Sequence, residues 1–211
     1  MPSSTRASEP AEFFREVGAE RRRRARALAP EDRRASLVAA TVPLLREHGR
    51  EVTTRQIADA AGIAEGTIFR VFDNKDALIE AAIESALDIE PYVAELEALR
   101  PEGSLEDRLL AITQLMHRRF TSVFGLMARL GMMGPPESTR LRGAYWRERV
   151  ADAQLAALGE TADALTLPPG EALGLLRMLT FAGCNQHLSA GQLLTPEQVV
   201  DVVLHGIRKD S

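Results

Sequence analysis

The chain is poor in features that would commit it to other classes. One of its 211 residues is cysteine, Cys184. That excludes an internal disulfide and a cysteine-rich zinc site, and it suits a reducing compartment such as the cytoplasm. No apolar run is long enough to span a bilayer, so no membrane partner is expected. The Ser-, Glu- and Arg-rich N-terminus is not that of a secretory signal. The four histidines, His48, His117, His187 and His205, form no HExxH, and no Gly-rich phosphate loop or G-x-S-x-G is present. An enzyme is therefore not expected, and neither a metal nor a cofactor. No alternating β-branched run bounded by turns occurs, which leaves an all-α chain. Lysine is scarce as well: Lys75 and Lys209 are the two, and every other positive side chain is arginine.

What is present is unevenly spread. The formal net charge is −4, but through Lys75 there are 14 basic and 11 acidic side chains, and in the remainder 12 and 19. A basic head on an acidic body would orient the molecule toward phosphate. Three segments follow. Residues 1–28 form an Arg-rich extension whose run Arg21 to Arg24, with Arg26, reads either as a solvated tail or as an arm along phosphates or in a minor groove. Residues 29–88 form a small helical head. Residues 89–211 form a larger helical body.

The head is organised around TTRQIADAAGIAEGTIFRVFDNK, Thr53 to Lys75. Thr53 or Thr54 caps a first helix that turns Ile57, Ala58 and Ala61 inward. Gly62 stands where the chain must turn. A second helix is expected over residues 65–72, with Ile68, Val71 and Phe72 inward, and Asn74 caps a further helix from Lys75 to about Leu87. Ala58 lets two steeply crossing helices approach. These offsets are those of a helix-turn-helix.

The same residues go further than the motif. Thr53, Ile57, Ala58, Ala61, Gly62, Ile63, Gly66, Thr67, Ile68, Phe72, Lys75 and Leu78 stand where TetR-type (tetracycline-repressor-like) regulators carry their pattern, and residues 32–88 closely resemble that DNA-binding domain. Three positions depart: Ala64 for the usual Ser, Phe69 for Tyr, and Val71 for His. The phosphate contacts of that Tyr and His are not carried over. The resemblance implies a sequence-specific DNA-binding transcription regulator, a repressor released from a palindromic operator by a small apolar ligand.

DNA contacts are expected from Thr53, Thr54, Arg55, Glu65, Gly66, Thr67, Phe69, Arg70 and Lys75. Thr67 and Phe69 suit thymine methyls, Arg70 a guanine or a phosphate, and Glu65 a cytosine amine. Thr53, Thr54, Arg55 and Lys75 suit phosphates.

The body reads as helices near 92–99, 105–124, through Met132, from Ser138 to Leu158, 170–190, and from a Thr195–Gln198 capping box to about Arg208. The helix over 170–190 is apolar on most sides, which predicts burial all round. With the last helix it predicts a four-helix homodimer interface using Leu176, Leu179, Gly183, Val199, Val203 and Ile207, the place where TetR-like proteins dimerise. The bodies of that family bind small molecules. Phe120, Phe124, Met127, Tyr145, Trp146, Met178 and Phe181 are the candidate lining here, against the plainer reading of core residues. The competing classes are a non-sequence-specific architectural DNA binder and a redox sensor at Cys184, which with His187 would sit three apart on a helix.

Overall fold

In a computed structural model of the chain, residues 30–99 and 102–206 are described. The extension 1–28 with its Arg21–Arg26 run, and Ile207, lie outside the described residues. All regular structure among those described is helical.

The head is built from α1 (Pro30–His48), α2 (Thr54–Ala61), a 3-10 turn over Glu65–Arg70, and α3 (Lys75–Leu87). Helix α1 opens with proline and then Glu31 and Asp32, which suit the positive end of the helix dipole. It continues through Pro43, which is exposed, so the missing backbone donor lies on the solvent side. The Thr53 hydroxyl accepts from the Gln56 N–H while the Gln56 side chain accepts from the Thr53 N–H, closing a capping box. Gly62 ends α2 in the left-handed region at φ 66, where a side chain would be strained. The Asn74 side chain accepts from the Ala77 N–H and starts α3. Leu37, Leu45, Ile57, Ile68, Leu78 and Ile79 are the largest fully buried side chains of the head core, with Phe72 buried beside them.

The body contains α4 (Glu90–Ala98), α5 (Leu105–Arg129), α6 (Glu137–Leu141), α7 (Gly143–Leu158), α8 (Pro169–Gly183) and α9 (Pro196–His205). Its core gathers Val93, Leu96, Leu109, Ile112, Leu158, Leu176 and Val199. Helix α5 belongs to both cores. Its first half carries Leu109, Ile112, Leu115 and Met116 into the body, and its second half carries Leu126 into the head, followed by Leu130 just past its end.

Four expectations are corrected. The segment after Gly62 is a 3-10 turn ending at Arg70 rather than a helix to Phe72. Ala64 offers no side-chain cap, and Gly66, Thr67, Ile68 and Phe69 are indifferent helix formers in a six-residue stretch. Residues 105–129 make one helix, not two, with the Ser104–Asp107 capping box at its start. Ser138 is not a cap: α6 starts after Pro136, and the chain breaks at Arg142 before α7. Helix α8 stops at Gly183, so Cys184 to Gly191 form turns and Leu188 is exposed. Asn185 ends the helix by drawing the His187 and Leu188 N–H groups onto its own side chain.

Candidate nucleic-acid interface

The capped α2 and the left-handed Gly62 aim the Glu65–Arg70 turn outward. Ile68 and Phe72 anchor it from beneath, and Arg34 lies 4.2 Å over the Phe72 ring. Glu65, Gly66, Phe69 and Arg70 are exposed and Thr67 is half-buried. Phe69 is 52% exposed, a large apolar ring held in water beside a guanidinium. A Cβ added at Gly66 would meet nothing within 4 Å. The fold itself therefore has no need of a glycine there, and the open space belongs to whatever approaches the turn.

The remaining candidates divide by what already holds them. Thr53 is spent on the capping box. The Thr54 hydroxyl donates to the Glu65 carboxylate, which ties the start of α2 to the Glu65–Arg70 turn and leaves Glu65 oriented rather than free. Lys75 donates from Nζ to the Arg50 carbonyl at 3.0 Å, so it pins the short Gly49–Glu51 turn with one of its three donors. Arg55 and Arg70 are exposed and engage no acidic partner among the described residues. Arg50, exposed beside Lys75, was not anticipated from the sequence. Only the fold brings it there, since Gly49 at φ 61 turns the chain back at the end of α1.

The body candidates do not converge on one enclosed space. Phe120, Phe124 and Phe181 do meet: centroids lie 6.1 Å apart for the stacked Phe120–Phe124 pair, and 5.4 and 5.0 Å for the edge contacts of Phe181 with each. Met127 is half-buried, and Trp146 packs on the body core with Arg142 at 6.0 Å from its ring. Tyr145 and Met178 point into solvent. A cavity of about 250 Å³ lies elsewhere, at the seam of head and body, lined by Arg50, Glu80, Ile83, Glu84, Met132, Pro136 and Ser138.

Helix α8 has two distinct faces. Ala172, Leu173, Leu176, Thr180 and Gly183 face the core, while Leu175, Met178 and Phe181 are exposed and share one stripe with Gly174. Leu176 and Val199, expected at an interface, are at 0% and 1% exposure within this chain. Gly183 is covered by Leu194, whose Cβ would lie 2.9 Å from an added Cβ. Leu179 and Val203 are half-buried against the body core. Uniform apolarity gives a helix no phase, which is why the sequence could not choose between the faces.

Cys184 lies past the end of α8 beside Phe181, and His187 is exposed in the following turn. Burial pushes the thiol above its ordinary value, the opposite of what a reactive thiolate needs. Among the described residues no cluster of His, Cys, Asp and Glu fit to hold a metal ion occurs, and no helix is long and apolar enough to cross a membrane.

Residues 37–82 match the family model of bacterial regulatory proteins, tetR family. Over 57 residues the chain is 39% identical to the HTH-type transcriptional repressor KstR2 of Rhodococcus jostii (strain RHA1), a match spanning 26% of this chain and 28% of that protein. A solved structure from Pseudomonas aeruginosa PAO1 is 21% identical, with TM-score 0.53, over 84% of this chain and 89% of that one. The structure of superantigen pfit is likewise 21% identical, with TM-score 0.52, over 92% and 99%. The helical architecture is thus shared well beyond the head, and it accompanies proteins bearing very different names. The fold alone therefore assigns no function, and the specific likeness lies in the head.

Proposed function

This chain carries the head of a tetR-family regulator, and from that premise we propose that it is a homodimeric, sequence-specific DNA-binding repressor that leaves an inverted-repeat operator when a small apolar effector binds its body. The observation that carries the reading is the outward turn Glu65–Arg70, with Gly66 open, Phe69 and Arg70 unengaged, and Thr54 steadying Glu65. In a major groove Arg70 reads a guanine, Thr67 and Phe69 pack on thymine methyls, and Glu65 accepts from a cytosine amine, each good base contact worth about 1–3 kcal/mol of discrimination. Arg55, Lys75 and the neighbouring Arg50 hold phosphates and set the register, while Thr53 stays in its capping box.

Two heads must meet successive major grooves about 34 Å apart. The face that joins the two copies is the exposed stripe Gly174, Leu175, Met178 and Phe181, with the edge of α9 at Val203. The effector prefers the arrangement whose heads miss those grooves, and a coupling of about 1–3 kcal/mol changes affinity roughly 5–150-fold. The site of action is DNA in the cytoplasm.

Duplex selection from a random library, followed by affinity for the winner and a scrambled duplex across a salt series, tests this reading. The expected result is an inverted repeat bound far above the scramble. Equal, salt-sensitive binding to both duplexes would replace it with an architectural role.

A further inference from the structure

The head is joined to the body by α3 running through Asp88 and Ile89 into α4, and by the side of α5. At this joint Arg119 makes a contact that the two cores do not account for. Arg119, on α5, sends its guanidinium to the last turn of α3, donating from one terminal nitrogen to the Ala86 carbonyl at 3.1 Å and from the other to the Leu87 carbonyl at 2.5 Å. Those two carbonyls lie at the end of α3, where helix acceptors run out of intrahelical partners. A planar cation satisfies both at once, at the negative end of the helix dipole. Arg119 is half-buried: burial pushes its guanidinium below the ordinary value, Asp88 and Glu95 place favourable charge around it, and Arg46 opposes them.

Below this point the two parts are pressed together by packing. Arg46 donates to the Ser122 hydroxyl at 3.2 Å, Leu126 enters the head core, and a Cβ at Gly49 would lie 2.8 Å from the Arg129 carbonyl. The Arg119 fork lies one turn before Ser122 on α5 and grips the end of α3, a direct tie between the two parts beyond that packing.

We propose that Arg119 is a positioning residue for DNA recognition: by locking the end of α3 to α5 it fixes the tilt of each head on its body and so sets the spacing between half-sites that the protein accepts. This rests on the reading above of a dimer on an inverted repeat. Arg119 touches no base and no phosphate. It determines which pairs of half-sites both heads can reach together.

The test uses the full chain and the variants Arg119→Met and Arg119→Lys. Affinities are measured for the selected duplex, for duplexes with one base pair added or removed between the half-sites, and for a lone half-site. In the parent, altered spacing is penalised. In Arg119→Met the half-site sequence and the lone half-site affinity stay unchanged, while the ratio of preferred to altered spacing falls roughly tenfold, as expected for the loss of charge-assisted bonds. Arg119→Lys keeps the charge without the fork and falls between the two. If the methionine variant does not fold, the lysine variant carries the same expectation with a smaller change.

An unchanged ratio in a folded variant overturns the proposal. An equal loss on all duplexes, the lone half-site included, also overturns it by assigning Arg119 to stability alone. A parent chain that selects no inverted repeat is a different failure: it removes the dimer reading before any variant is made, and the inference with it.

Discussion

Head and body leave different things uncovered. In the head, the helices on either side of the Glu65–Arg70 turn are closed by named groups: the Thr53–Gln56 box, Gly62, Asn74 and the Lys75 bond to Arg50. What remains open there is charge, amide and one aromatic ring, on a turn of six residues. In the body two helix starts are closed in the same way, by Ser104–Asp107 and Thr195–Gln198. Among what remains open there is carbon, in the Leu175–Met178–Phe181 stripe of α8. The contrast shows how surface chemistry divides labour within one chain. Polar atoms held rigidly await a polar partner, and a row of apolar side chains awaits a second apolar surface.

The sharpest break in this comparison is at the helix that serves both parts. Leu126→Ala should cost about 2–5 kcal/mol in urea denaturation, since it leaves a cavity in the head core. It should also weaken DNA binding, although it stands on a helix that begins in the body. Lost stability with untouched DNA affinity would mean that the head does not depend on α5.

Next in size, Met178→Glu should raise the dimer dissociation constant roughly 30-fold or more in sedimentation, the scale of an interface hot spot. Because Met178 is 53% exposed in the single chain, its helicity and the unfolding of the monomer should not change. An unaltered dimer would show that the second copy packs elsewhere.

A smaller change of opposite sign is expected at the recognition turn. Gly66→Ala, with open space at its Cβ, should leave thermal stability unchanged or raise it by about 0.4–1 kcal/mol. Operator affinity should nonetheless fall, because the added methyl meets the DNA. Equal affinity would mean that the turn does not approach its target at Gly66.

The smallest expected effect separates the parts by pH. Burial pushes the Tyr92 phenol from 10.0 up to about 12, and Gln154 donates to its oxygen at 3.4 Å. The neutral form is favoured in the folded chain, so its contribution is complete below pH 10 and is lost as pH rises through 10 toward 12. The head contains no tyrosine. Tyr92→Phe should flatten the alkaline limb of body unfolding, and a limb that persists would place its origin elsewhere.

Sequence reading served these two parts unequally, for reasons visible in particular residues. Thr53, Gly62, Asn74 and Thr195 act within three or four positions of themselves, and each performs as its local chemistry requires. The family pattern likewise falls on the head, over residues 37–82. The orientation of α8 depends on what packs against it, and a helix rich in Leu, Met and Phe carries no internal mark of which side that is. The Thr54–Glu65 tie and the Arg119 fork span 11 and up to 33 positions, so neither leaves a trace in periodicity. The candidate ligand residues share a side-chain type, and type alone does not separate the Phe120–Phe124–Phe181 cluster from the solvent-facing Tyr145 and Met178.

The shared helix has a practical consequence for anyone building chimeras. A graft that moves the head alone, cut after Leu87, would leave behind Leu126 and Leu130, two buried members of that head's own core, and the guanidinium that closes its last turn. The transplant would arrive with an open flank and would have to find substitutes on its new host. The unit that can be inherited or exchanged intact therefore ends not at the visible break near Asp88 but some forty residues later, past Arg129, and recombination between relatives should succeed or fail according to which side of that helix it falls.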